Sequence, residues 1–303
     1  MFVGLSGGVD SAVSAALLQR AGAQVTGVFI KGWYPSGFPC TWAEDRRDAM
    51  RTAAHLHIPF ITLDATAEYK KYVIDYLISE YRAGRTPNPD IMCNKEIKFG
   101  IFYRYALAQG ADAIATGHYR SGEKDQTYFL WAVPSEVLSK TLFPVGYMPK
   151  EKVRVLAKMF GLPVAEKKDS QGICFLGTIS VKDFLKSELG EDNPALLYTL
   201  GERATLPNGP WYVVGKDVEK KEITVSKDRL PTTREIRFTS PNWFADSAQV
   251  TSAQYRYQGP LVKGCVEGNQ FVSSEALPEI ASPGQSIVFY SADGLVGGGS
   301  IIE

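Results

Sequence analysis

The first 120 residues alternate short apolar runs with longer stretches in which apolar positions recur every three to four residues. Residues 2–5 form an apolar run that meets a Gly-rich turn, and residues 11–21 then set Val13, Ala16, Leu17 and Leu18 at helical spacing. The pattern predicts strand, loop, helix. Gly22 stops that helix. Residues 25–30 read as a second strand, 42–56 as helix and 59–63 as strand. Residues 65–81 read as a helix with Tyr69, Tyr72, Val73, Tyr76 and Leu77 on one core-facing side. An amphipathic helix over 97–109 precedes the apolar run 111–116. This alternation predicts an α/β domain, a parallel sheet wound with helices, whose ligands meet the carboxyl ends of the strands.

Beyond about residue 180 the pattern changes to short alternating segments broken by Gly, Pro and Ser. Residues 211–214, 222–226, 235–238, 254–257, 261–266 and 286–290 read as strands of a small all-β module. Ala292-Asp293-Gly294 reads as a hairpin turn, and the polar stretch 188–194 as the boundary between the two regions.

Hydrophobic residues make up 45% and charged residues 22% of the 303, ordinary globular usage that disfavours disorder, collagen and coiled coil. No run of 18 apolar residues occurs, and Met-Phe-Val-Gly-Leu opens the chain without the basic and apolar regions of an export signal. The expectation is a cytoplasmic protein without a membrane partner. Four cysteines lie far apart with no CxxC pair, and there are three histidines, so no metal site is expected. Thirty-three basic residues cancel 33 acidic ones, yet residues 82–104 hold 5 basic against 2 acidic and residues 140–168 hold 7 against 2. These stretches, the second of which holds Lys150, Lys152 and Arg154, fit either a phosphate-binding face or an ordinary solvated helix surface.

The most specific motif is Ser6-Gly7-Gly8-Val9-Asp10-Ser11, between the first strand and the first helix. Backbone amides at a helix N-terminus favour an anion, glycines allow close approach, and two serines add hydroxyls. The motif lacks the Lys of a Walker A loop and the third Gly of a dinucleotide fingerprint. It resembles the pyrophosphate loop of the N-type ATP pyrophosphatases, which split ATP to AMP and pyrophosphate while adenylating a carbonyl oxygen.

Cys93 lies in GRTPNPDIMCNKEIKFG and Cys174 in KKDSQGICFLG, both near basic residues that favour a reactive thiolate. Each thiol taken alone fits either packing or chemistry; Cys40 and Cys265 match no catalytic motif and are read as packing residues. Together with ATGHY at 115–119, KDQTYFL at 124–130, LFPVG at 142–146, PWYVVGKDV at 210–218 and PGQSIVFY at 283–290, these segments resemble the bacterial tRNA-specific 2-thiouridylase family. That family replaces the C2 oxygen of the wobble uridine with sulfur.

The resemblance implies a catalytic domain over 1–180, an abbreviated central domain over 181–230 and a C-terminal all-β barrel over 231–303. It implies that Gly4, Leu5, Ser6, Gly7, Gly8, Val9, Asp10, Ser11, Ile30 and Gly117 line a site for ATP, with Mg2+ arriving on the nucleotide. Asn88, Pro89 and Asp90 would hold the target base, with Asp90 also able to manage a proton. Cys93 would be the nucleophile and Cys174 the persulfide carrier, supplied by a sulfur-donor protein. His118, Lys124, Asp125, Gln126, Tyr255, Arg256 and Gln285 would contact tRNA.

Two departures stand out. Only four residues separate Tyr119 from Lys124 where the family carries a longer hairpin, and Leu197–Arg203 has Glu202 where Gln is usual. Two rivals remain: another adenylating ligase or amidotransferase, which would need neither thiol, and a non-catalytic RNA-binding relative.

Overall fold

The computed structural model describes residues 1–36, 42–169, 180–189, 193–228 and 233–302. The chain divides into two compact units, Met1–Val73 with Asp90–Ile179, and Ile74–Pro89 with Ser180–Glu303. Among the described residues no helix is long and apolar enough to cross a membrane.

In the first unit β1 (Phe2–Gly4), β2 (Thr26–Lys31), β3 (Phe60–Asp64), β4 (Ile114–Ala115) and β5 (Thr141–Leu142) form one parallel sheet in the order β3-β2-β1-β4-β5. Successive side chains feed two cores because a strand alternates its faces. Val3, Phe29 and Ala115 pack with the helices Val9–Arg20 and Lys150–Met159, while Val28 and Ile114 pack with Phe99, Phe102 and Ala106. Both faces are covered, which explains the unbroken apolar runs. The strand order turns back between β1 and β4, the switch point at which wound sheets bind ligands.

Two segments expected as single helices are interrupted by π-helical turns. Residues 65–81 become Thr66–Tyr69, a π stretch Lys70–Ile74 and a helix Asp75–Arg82. The wider turn shifts the phase of the tyrosine stripe: Tyr72 is 36% exposed while Ile74 is fully buried. Likewise Cys93–Ile101 is π-helical and only Phe102–Ala108 is α, with Phe102 N–H bonding the Ile97 carbonyl five residues back. Such turns recur at functional sites, and here one begins at Cys93.

In the second unit, helix Asp75–Arg82 packs against the helices Val181–Leu189 and Pro194–Leu197. Asn193 caps the last of these by accepting from Ala195 N–H at 3.0 Å. β6 (Arg203–Ala204), β7 (Trp211–Asp217) and β8 (Glu222–Ser226) form an antiparallel sheet. β9 (Glu235–Trp243), β10 (Ser252–Gln254), β11 (Val262–Glu267), β12 (Gln270–Ser273), β13 (Ser286–Ser291) and β14 (Gly294–Ile301) close into a barrel. Its core is aromatic, with Trp243 stacked on Phe289 at 5.1 Å and Phe238 at 5.0 Å from Phe289. Gly297 makes room for this packing, since a Cβ there would lie 2.6 Å from the Trp243 ring.

The hairpin at Ala292-Asp293-Gly294 joins β13 and β14 as expected. The strand expected over 254–257 ends instead at Gln254, because Tyr255 turns inward and its hydroxyl bonds Glu279. Cys265 is a correction: it is exposed on β11 rather than packed. Cys40 lies outside the described residues.

Candidate active site

Gly4, Leu5 and Ser6 carry the chain from β1 into the Gly7-Gly8 turn, and Val9 opens the following helix. Gly7 has φ +79°, and a Cβ there would lie 2.2 Å from the Asp45 carbonyl oxygen, so no side chain fits. Ser11 Oγ accepts from Ser6 N–H at 3.2 Å and donates to the Gly8 carbonyl at 3.1 Å, which fixes the loop from within. No side chain caps the helix at Gly8. Its first amides therefore remain available to an anion such as a phosphate. Gly117, on the segment after β4, packs against this turn: a Cβ there would meet Ser11 N at 2.8 Å. Ile30 sits near the end of β2, in register with Leu63 of β3.

Asp10 does not stand alone. Lys150 Nζ donates to its two carboxylate oxygens at 2.6 and 2.8 Å, and the Tyr119 hydroxyl donates to Oδ1 at 2.7 Å. Burial, reinforced by Asp10, pushes the Tyr119 phenol far above its ordinary range, so it remains a donor. Lys150 also lies 2.9 Å from Asp169, which binds Arg154 at 2.6 Å and Lys124. Of Lys150, Lys152 and Arg154, considered as cations for an RNA-binding face, two are engaged by carboxylates within the chain. Lys150 and Arg154 are drawn onto carboxylates, while Lys152 is exposed.

Cys93 is 3% exposed, at the start of its π-helical stretch. The neighbouring Asn94 donates its amide N–H to the Phe129 carbonyl at 3.1 Å, leaving its oxygen to accept from His118 Nε2–H at 3.3 Å. Thr116 Oγ1–H then donates to His118 Nδ1 at 2.9 Å. Burial drives the His118 pKa well below its ordinary value, with the charge of Lys98 adding to it. The imidazole is therefore a neutral, buried link between the strand-end segment and the helix of Cys93. Asp90, on the turn Pro89–Met92, has its carboxyl pushed up by burial, with Lys98 pulling partly against this. Asn88 and Pro89 precede it directly.

Lys124 is paired with Asp169, Asp125 accepts from Thr127 N–H at 2.8 Å, and Gln126 accepts from Tyr119 N–H at 3.0 Å. The short loop is tied back at Tyr119 by these contacts, and no hairpin forms across residues 120–126. In the second unit the Tyr255 hydroxyl donates to the Glu279 carbonyl at 2.9 Å. Arg256 reaches the Leu200 carbonyl at 3.2 Å, and Gln285 reaches the Thr86 carbonyl at 2.7 Å. Cys174 lies outside the described residues. Lys150, Tyr119 and Asn94 were not singled out for these roles from sequence, although each belongs to a segment that was: the basic stretch, ATGHY and the Cys93 motif.

The chain matches the tRNA methyl transferase HUP domain over residues 1–178 and the aminomethyltransferase beta-barrel domain over 233–301. The tRNA-specific 2-thiouridylase MnmA of Streptococcus agalactiae serotype Ia is 41% identical over 353 aligned positions, covering 99% of this chain and 94% of that one. The protein of the same name from Geobacillus thermodenitrificans is 38% identical over 348, with the same coverage. Alignments of 348 and 353 positions against 303 residues leave at least 45 positions of these relatives without a counterpart here. With both regions matched and identity sustained along nearly its whole length, the chain belongs to the tRNA-specific 2-thiouridylase family.

Proposed function

We propose that this protein thiolates C2 of the wobble uridine of tRNA, using ATP to activate the C2 oxygen and a cysteine persulfide as sulfur source. The observation that carries the reading is that consecutive residues serve two centres. His118 bonds Asn94, beside Cys93, and Tyr119 bonds Asp10 of the nucleotide loop. Nucleotide activation and thiol chemistry then share one strand-end segment, as a reaction on a single base requires.

The C2 oxygen of uracil is a poor leaving group. Attack of that oxygen on the α-phosphorus of ATP forms a C2–O–P bond and expels pyrophosphate, whose charge the loop amides and the Lys150 ammonium are suited to meet. The terminal sulfur of a Cys174 persulfide adds to C2 and AMP departs with the oxygen. Cys93 thiolate then attacks the Cys174 sulfur, so that a Cys93–Cys174 disulfide forms as the sulfur remains on the base. In the variant order Cys93 attacks first, forming the same disulfide and releasing hydrosulfide, which displaces AMP. Either way a reductant returns the disulfide to two thiols, and a donor protein reloads Cys174. Asp90, with its raised pKa, is suited to hold a proton near the base.

In this reading residues 1–180 carry the chemistry, 181–230 are a reduced connector and 231–303 are a barrel for tRNA. The name of the relatives, tRNA-specific 2-thiouridylase, supports the tRNA substrate, and the two cysteine motifs support sulfur over an amine nucleophile. The deciding experiment incubates wild-type protein and the Cys93→Ser, Cys174→Ser double variant with tRNA, ATP and a sulfur donor. Wobble uridine is then analysed by mass spectrometry. Thiolation by the wild type alone is expected; an amine-derived product, formed without sulfur by wild type and double variant alike, would favour an amine-using ligase.

A further inference from the structure

The nucleotide loop rests on a second helix. A Cβ built on Gly7 would lie 2.9 Å from the Asp45 carbonyl carbon and 3.0 Å from its Cα, so the loop backbone sits directly against the first turn of helix Trp42–His55. Asp45 and Asp48 stand three positions apart on one face of that helix, where two like charges repel. Lys167 lies between them: its Nζ donates to Asp45 Oδ1 at 2.8 Å and to Asp48 Oδ2 at 2.7 Å. Burial opposes the ammonium charge, but the bonds and charges of the two carboxylates outweigh it and raise the Lys167 pKa, so the bridge stays charged at neutral pH. The lysine is anchored in turn, since its backbone N–H donates to the Val164 carbonyl at 2.9 Å and Arg154 donates to its carbonyl at 3.0 Å. All of these contacts lie within the first unit.

The contact between Gly7 and Asp45 is backbone against backbone, so Gly7 takes its position from wherever the Asp45 turn stands. We propose that Lys167 is a positioning residue for the nucleotide loop: by bridging Asp45 and Asp48 it holds the first turn of their helix where the Asp45 carbonyl braces Gly7. Without the bridge the two carboxylates repel, the turn drifts, and the amides that follow Gly7 lose their aim at a phosphate. Lys167, a member of the basic stretch 140–168, then serves the nucleotide from behind, through two carboxylates, rather than by touching a phosphate. The inference rests on the reading of Ser6–Ser11 as the ATP loop.

The test is a double-mutant cycle on the full chain, read by calorimetric titration with a non-hydrolysable ATP analogue. Lys167→Met is expected to weaken binding about tenfold, near the lower end of what losing a hydrogen-bonded charge allows. Lys167→Arg, whose fork can still span two carboxylates, is expected to stay within about threefold of wild type. Lys168→Met removes the same charge from the exposed neighbouring position and is expected to leave the affinity unchanged, which separates the bridge from a general loss of positive potential. Asp45→Asn is expected to weaken binding as Lys167→Met does, and the double variant no further than either change alone. A lysine that touched phosphate directly would give the opposite sign, because Asp45→Asn would free it and tighten binding. That result, or equal affinity in Lys167→Met and wild type, would overturn the proposal. In the free protein the Gly7 and Gly8 amide resonances are expected to shift in Lys167→Met and to return in Lys167→Arg, while those of the barrel stay in place. Loop resonances unmoved by Lys167→Met would overturn it equally. Because the resonances need no nucleotide, a wild-type protein that fails to bind the analogue would sink the ATP reading and leave the bracing of the loop to be decided by the resonances alone.

Discussion

Lys150 bridges two carboxylates, Asp10 at 2.6 Å and Asp169 at 2.9 Å, with its side chain only 10% exposed. One cation therefore joins the first turn of the nucleotide-loop helix to the residue five positions before Cys174. In the proposed function, a phosphate chain arriving at the loop would compete with these carboxylates for the same ammonium.

Lys150→Ala is accordingly expected to slow tRNA-dependent pyrophosphate release by about a hundredfold, the scale of losing one charge-stabilising donor. The salt dependence of tRNA binding should keep its slope, because the slope counts phosphates met by exposed cations. Lys152→Glu is expected to show the reverse: a flatter slope and normal pyrophosphate release. Parallel effects of the two changes would return Lys150 to the RNA-binding face.

Asp169 gives a pH signature. Burial pushes its carboxyl up, but hydrogen bonds and charge from Lys124 and Lys150 outweigh this and hold the pKa at about 2. An unfolded Asp titrates near ~3.9, so the folded state binds its proton less readily. The stabilisation is present in full above about pH 4 and is lost as pH falls toward 2. Allowing for solvent screening, wild type is expected to lose about 1–2 kcal/mol over that window that Asp169→Asn does not lose. Urea unfolding at several pH values measures the difference, and parallel stability curves would contradict it.

Gly117→Ala is expected to weaken ATP binding at least about tenfold, roughly 1.4 kcal/mol, because the new methyl would meet Ser11 N at 2.8 Å and displace the loop. Calorimetric titration with a non-hydrolysable ATP analogue reads this directly. Binding of tRNA in the absence of nucleotide should change by less than twofold.

The ring of His118 should be neutral at neutral pH and titrate below the ordinary imidazole range, since burial and Lys98 both disfavour its charged form. Imidazole resonances assigned by comparison with His118→Gln test this by NMR. A His118 titration near ~6.5 would mean the ring is solvated and free to meet RNA.

The sequence made the strand, loop and helix around Ser6–Ser11 legible because glycine placement and apolar spacing are local. The barrel was legible as a class for the same reason, but β14 was missed: Val-Gly-Gly-Gly in Gly294–Ile301 has no alternation, and its glycines serve the Trp243 and Phe238 rings. The π-helical turns escaped because periodicity assumes 3.6 residues per turn, which is why Tyr72 was assigned to the core. Lys150 was read as a surface charge because its partner Asp10 lies 140 positions away, and composition counts charges without pairing them. His118 likewise shows no sign of burial until Asn94 and Thr116 are brought against it. What stayed hidden in the site was therefore long-range pairing.

The central claim is that ATP is spent to install sulfur on one base, and the most direct measurement counts both products of a single reaction. Purified protein, tRNA, labelled ATP and a persulfide donor are combined, nucleotides are separated, and the wobble uridine is analysed by mass spectrometry. The account predicts one AMP and one pyrophosphate for each oxygen replaced by sulfur. Release of ADP and phosphate, or a wobble uridine that gains a methyl group and keeps its oxygen, would contradict it.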